Sequence, residues 1–97
     1  MDKKIIYRAM CPDELKETIN NGSPSFHKRF KWFSDNIEFI TNRVKDGQFN
    51  NSKYVEDRYK HIVMFEADTT TARSVSQHEL QFDRRRNPLI KFIKVIE

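Results

Sequence analysis

Cysteine is almost missing from this chain, glycine occurs twice and proline three times, and no uninterrupted apolar run is longer than four residues. Each scarcity excludes something. The lone Cys11 rules out an internal disulfide and fits a reducing compartment, so a cytoplasmic location is expected. Cys11 has no Cys or His partner at ligand spacing, and His27, His61 and His78 are widely separated, so no metal site is expected. Near a helix start, Cys11 reads as a small apolar residue rather than a nucleophile. Gly22 and Gly47 each stand where a helix should stop, which leaves no glycine-rich loop to cradle phosphates. The longest apolar run, Ile62 to Phe65, is far short of the roughly 20 residues that span a bilayer. Only Ile5 and Ile6 precede the return of charge at the N-terminus, too little for a signal peptide. Neither a membrane partner nor export by that route is expected.

What the chain does have is charge and aromatic mass. Residues 1–97 have room for a single compact domain, one that buries about 60–65% of its unfolded surface. Eight Phe, three Tyr and one Trp compensate for a thin core by adding much burial per residue. A formal charge of +4 favours acidic proteins, nucleic acid or phosphate-bearing ligands without choosing among them.

Periodicity predicts an α+β fold. Residues 3–8 are bounded by charge and rich in Ile and Tyr, as a first strand should be. Pro12, Asp13 and Glu14 open a helix over 12–20 that Asn21-Gly22 stops, with Leu15 and Ile19 as its buried stripe. A short aromatic strand covers 30–34. A second helix is predicted over 36–46, begun by Asp35 and Glu38 and carrying Ile37, Ile40 and Val44 at helical spacing. Residues 48–58 read as loop. Residues 61–67 should form a central strand buried on both faces, and 68–71 open a flexible connection. The alternation His78-Glu79-Leu80-Gln81-Phe82 marks a half-buried strand, residues 84–88 a basic turn, and 89–96 a last strand. The expected architecture is a small curved mixed sheet of about five strands with two short helices packed on it.

Three segments carry a pattern of their own: Ile6-Tyr7-Arg8 closing the first strand, Trp32-Phe33-Ser34 closing the second, and Gln77-His78-Glu79-Leu80-Gln81-Phe82 opening a late strand. Together they resemble the arginine–serine–glutamate branch of the ADP-ribosyltransferases. In that family an Arg at the end of the first strand holds the dinucleotide, a strand-ending Ser supports the catalytic carboxylate, and the glutamate opens an apolar-x-Phe strand. The match covers the order of elements over nearly the whole chain, with about half a dozen identical residues. Trp32 and Phe33 replace the usual neighbours of the serine, and the chain is shorter than most such transferases. The resemblance implies NAD as substrate, with no metal, and transfer of ADP-ribose to a macromolecular target, protein being the expected class. Glu79 would stabilise the positive charge that develops on the ribose as nicotinamide leaves. Gln77, two residues before it on the same side of the strand, would orient the acceptor. Arg8 would hold the pyrophosphate, Ser34 would hold Glu79, and Trp32 or Phe33 would stack on nicotinamide.

A second reading stands beside this one. The chain has the composition of a small non-catalytic basic binding module, such as a phage-type inhibitor of host machinery, which covers a protein or nucleic-acid surface. Arg84, Arg85 and Arg86, together with Lys28, Arg29 and Lys31, would then contact phosphates or an acidic partner. A third combines the two, a transferase-like fold kept as an inert scaffold.

Overall fold

The structure, a computed structural model, describes residues 3–45 and 61–96. Its strands are β1 (Lys3–Met10), β2 (Phe30–Ser34), β3 (His61–Asp68), β4 (Arg73–Ser76), β5 (Glu79–Asp83) and β6 (Ile90–Val95). Helix α1 (Pro12–Asn21) lies between β1 and β2, α2 (Ile37–Lys45) follows β2, and a 3-10 turn spans Arg84–Arg86. The α+β class is as the sequence predicts. The sheet has six strands rather than about five, in the order β4-β5-β2-β1-β3-β6, and every pairing is antiparallel. The loop expected over 48–58 lies outside the described residues. Among those residues, no helix is long and apolar enough to cross a membrane.

Strand β3 is flanked on both sides, although β2 and β1 hold the middle of the sheet. Its early residues are buried on both faces, Ile62 toward one and Val63 and Phe65 toward the other. On the first face α2 sets Ile40 against Ala9 and Ile62, with Tyr7 and Val44 packed around them. The opposite face holds the larger core of Ile6, Met10, Phe33, Val63, Phe65 and Phe82, with Leu15 of α1 against it. Phe33 meets Phe65 and Phe82 edge-on, with ring centres 5.4 and 5.3 Å apart.

Helix α1 departs from its expected stripe. Leu15 packs on the core, but Ile19 is 49% exposed and Thr18 is fully buried instead. The Thr18 hydroxyl donates to the Glu14 carbonyl at 2.8 Å, which satisfies it inside the fold. Periodicity counts apolar residues and cannot register a threonine that satisfies itself on its own helix. The helix ends as expected, at Gly22 with φ 71° and its N–H on the Thr18 carbonyl. Cys11 is half-buried and caps the start of α1, its Sγ accepting from the Glu14 amide at 3.5 Å. Helix α2 is capped by Asn36, whose side chain accepts from the Phe39 amide, rather than by Asp35.

Strand β4 was hidden inside the predicted flexible connection. Its residues Arg73-Ser74-Val75-Ser76 are all exposed, so no apolar alternation marks it. It forms because β5 offers an open edge, and a register shift between Ser74 and Ser76 bends it there.

Candidate functional site

The three segments singled out in the sequence fall on three neighbouring strands. Ser34 stands opposite Tyr7 of β1 and opposite Glu79 of β5. Cross-strand partners share a face, so Tyr7, Ser34 and Glu79 lie on one face of the sheet, together with Trp32 and its partner Gln81. Trp32 is 45% exposed there. Successive residues alternate faces, so Arg8 projects to the other side, with Val63 as its β3 partner.

Tyr7–Ser34 is the only β1–β2 pair, and beyond it the two strands part. Arg8 occupies that fork. Its Nη1 donates to the Trp32 carbonyl at 2.8 Å, taking the place of the missing ladder bond, and its guanidinium stands 5.8 Å from the Phe33 ring centre. Its Nε donates to Glu14 Oε2 at 2.7 Å. Lys31 Nζ meets the same carboxylate oxygen at 2.7 Å and donates to the Ser25 carbonyl at 2.8 Å. Two cations thus share one carboxylate at the wall of a cavity of about 400 Å³, lined also by Phe26, His27 and Lys28.

Burial works to raise the Glu14 carboxyl, but the Arg8 charge and the hydrogen bonds from Arg8 and Lys31 outweigh it, so it lies below its usual range. Burial, with the like charge of Arg8, brings the Lys31 ammonium below its usual range despite Glu14. A depressed carboxylate contributes stability that is complete above the unfolded-state range and is lost as pH falls through the folded value. Stability should therefore drop on the acid side as Glu14 takes up its proton. Glu14→Gln should cost about 1–2 kcal/mol at neutral pH and flatten that acid limb in a melting series. An unchanged limb would show that Glu14 is not responsible for it.

The remaining predicted residues separate. Ser34 Oγ does not reach Glu79; it donates to the Asn36 carbonyl at 3.0 Å and accepts from the Asn36 amide, fixing the turn into α2. Glu79 Oε1 accepts instead from Arg43 Nη2 of α2 at 3.3 Å and from Ser76 Oγ at 3.0 Å. Gln77 is exposed in the turn between β4 and β5, not on the strand beside Glu79, because β5 begins at Glu79 itself. Phe33 is 3% exposed and belongs to the core, which removes it as a stacking platform. The Arg8, Ser34 and Glu79 side chains therefore do not meet in one contact set: Arg8 projects to the opposite face, and Ser34 and Glu79, which share a face, are each held by other partners.

Arg84, Arg85 and Arg86 are exposed on the 3-10 turn, which is held by Asp83 accepting from the Arg85 amide at 2.9 Å and by Asn87 at φ 49°. Sequence reasoning missed Glu14 and Arg43, and named Lys31 only as a phosphate contact. Glu14 is signalled only by its nearness to Arg8 and Lys31 in the fold, and Arg43 lies 36 positions from its partner. Among the described residues, no group of three or more His, Cys, Asp or Glu could hold a metal ion. Compared with known protein families, with curated proteins and with solved structures, the chain matches none.

Proposed function

We propose that the domain is an ADP-ribosyltransferase-like protein whose site lies on the open face of β2 and β5, with Arg8 at the adjoining fork. The observation that carries this reading is the register of Ser34, which stands opposite both Tyr7 and Glu79 and so turns three distant segments into one row. In this reading NAD straddles the fork. Nicotinamide stacks on exposed Trp32, Glu79 faces the ribose, and the pyrophosphate lies toward Arg8. As the bond to nicotinamide breaks, the Glu79 carboxylate stabilises the cationic sugar and a nucleophile of the target attacks it. Arg43 would have to release Glu79, and a partly exposed pair held at 3.3 Å costs little to open.

One observation favours the inert-scaffold and binding-module readings. Arg8 and Glu79 are each already satisfied by partners within the chain, Glu14 and Arg43. Thermal melting with NAD separates the cases. A bound dinucleotide at 100 times its dissociation constant should add about 2.7 kcal/mol of stability. A melting curve unmoved by millimolar NAD would sink the transferase reading and leave the binding module.

A further inference from the structure

The open face of β2 and β5 carries two aromatic rings that the fold covers only in part. Phe30 and Trp32 are 41% and 45% exposed, and they stand two residues apart on the same side of β2. That spacing puts their rings about 6.8 Å apart along the strand. It is about twice the 3.4 Å between stacked bases, so each ring can take its own base from an extended strand. Around the rings the charge left unpaired is positive. Cross-strand register sets Arg73 of β4 in line with Gln81 and Trp32. The Arg29 guanidinium lies 4.7 Å from the Phe30 ring centre while its nitrogens grip Asp83 at 3.0 to 3.3 Å. Beyond Asp83 come Arg84, Arg85 and Arg86, the ladder being prolonged by the Arg84 amide on the Arg29 carbonyl at 2.7 Å. The two carboxylates of the strip, Glu79 and Asp83, are neutralised by Arg43 and Arg29. No ion pair between described residues neutralises Arg73, Arg85 or Arg86.

We propose that this face binds single-stranded nucleic acid, with successive bases on Phe30 and Trp32 and phosphates on Arg73 and the arginine turn. Paired bases keep their faces inside the duplex, so the rings select single strands. An acidic peptide would satisfy the arginines and leave both rings without a partner. The proposal does not rest on NAD chemistry.

Trp32 is the only tryptophan of the chain, so its emission reports this face alone. Unstructured pyrimidine oligonucleotides, as RNA and as DNA, should quench it at low salt, and quenching by either sugar supports the proposal. The same sequence as a duplex, and polyglutamate, should quench weakly. With a labelled strand followed by anisotropy, Trp32→Ala should weaken binding about 5- to 100-fold, the loss of one stacked base, and Trp32→Phe should restore most of it. Replacing Arg84, Arg85 and Arg86 together by Ala should reduce the slope of log affinity against log salt by about 2. Unquenched Trp32, equal binding of duplex or polyglutamate, or full affinity in Trp32→Ala would overturn the proposal. NAD titrated alone keeps the two ideas apart. A strand that binds where NAD fails removes only the transferase reading, and the reverse removes only this one.

Discussion

If the domain transfers ADP-ribose as proposed, Glu79→Ala should all but abolish transfer of the labelled group to target while the melting temperature stays where it was. The rate loss should be about 10²- to 10⁴-fold, the usual effect of removing a group that acts at the reacting centre. Stability should hold, because Glu79 contributes only a partly exposed ion pair with Arg43 and one bond from Ser76, and such pairs are worth about 0–1 kcal/mol. The companion variant Arg43→Ala frees the carboxylate and should keep transfer. These two substitutions break the same ion pair from opposite ends, so opposite effects on activity identify the carboxylate rather than the pair. If Glu79→Ala keeps its transfer rate, Glu79 is not the catalytic carboxylate; if no transfer is seen and the variant keeps its biological effect, the domain works as a scaffold and not as an enzyme.

Phe65→Ala should lower stability by about 3–5 kcal/mol, read from denaturant melts. Phe65 is fully buried on β3, and its ring meets Phe33 edge-on at 5.4 Å and Phe92 at 6.3 Å. Its loss would leave a cavity between strands from both halves of the sheet, in a domain whose total stability is on the order of 5–15 kcal/mol. At the low end of that range a sizeable fraction of the protein should then be unfolded at room temperature. Ile19→Ala supplies the contrast, since Ile19 faces water and its removal should cost less than about 0.5 kcal/mol. Equal losses at the two positions would contradict this division of the core.

Some features were legible in the chain because their causes are local. Pro12, the acidic first turn and Gly22 set α1 within one residue of its expected end. The apolar run of β3 and the alternation of β5 announced two strands, and Ile40 was correctly read as core. Strand β4 could not be read, since its residues are polar and exposed and it exists only by pairing with β5. The rotation of α1 was equally hidden. It depends on Arg8 and Lys31 drawing Glu14 to the sheet, and that meeting has no trace in helical spacing.

The candidate site divides along the same line. The sequence by itself determined that Arg8 lies late in the first strand, that Ser34 closes β2 and that Glu79 belongs to an alternating strand, because residue type and alternation are local properties. It also determined the excess of positive charge and the cluster at Arg84 to Arg86. Tertiary structure decided which faces these side chains occupy and what holds them. The parity of each strand sends Arg8 to one face and Glu79 to the other, and the single Tyr7–Ser34 pair opens the fork that Arg8 fills. Register is set by packing across the whole sheet, where a slip of one residue would exchange the faces, so no reading of separate segments contains it.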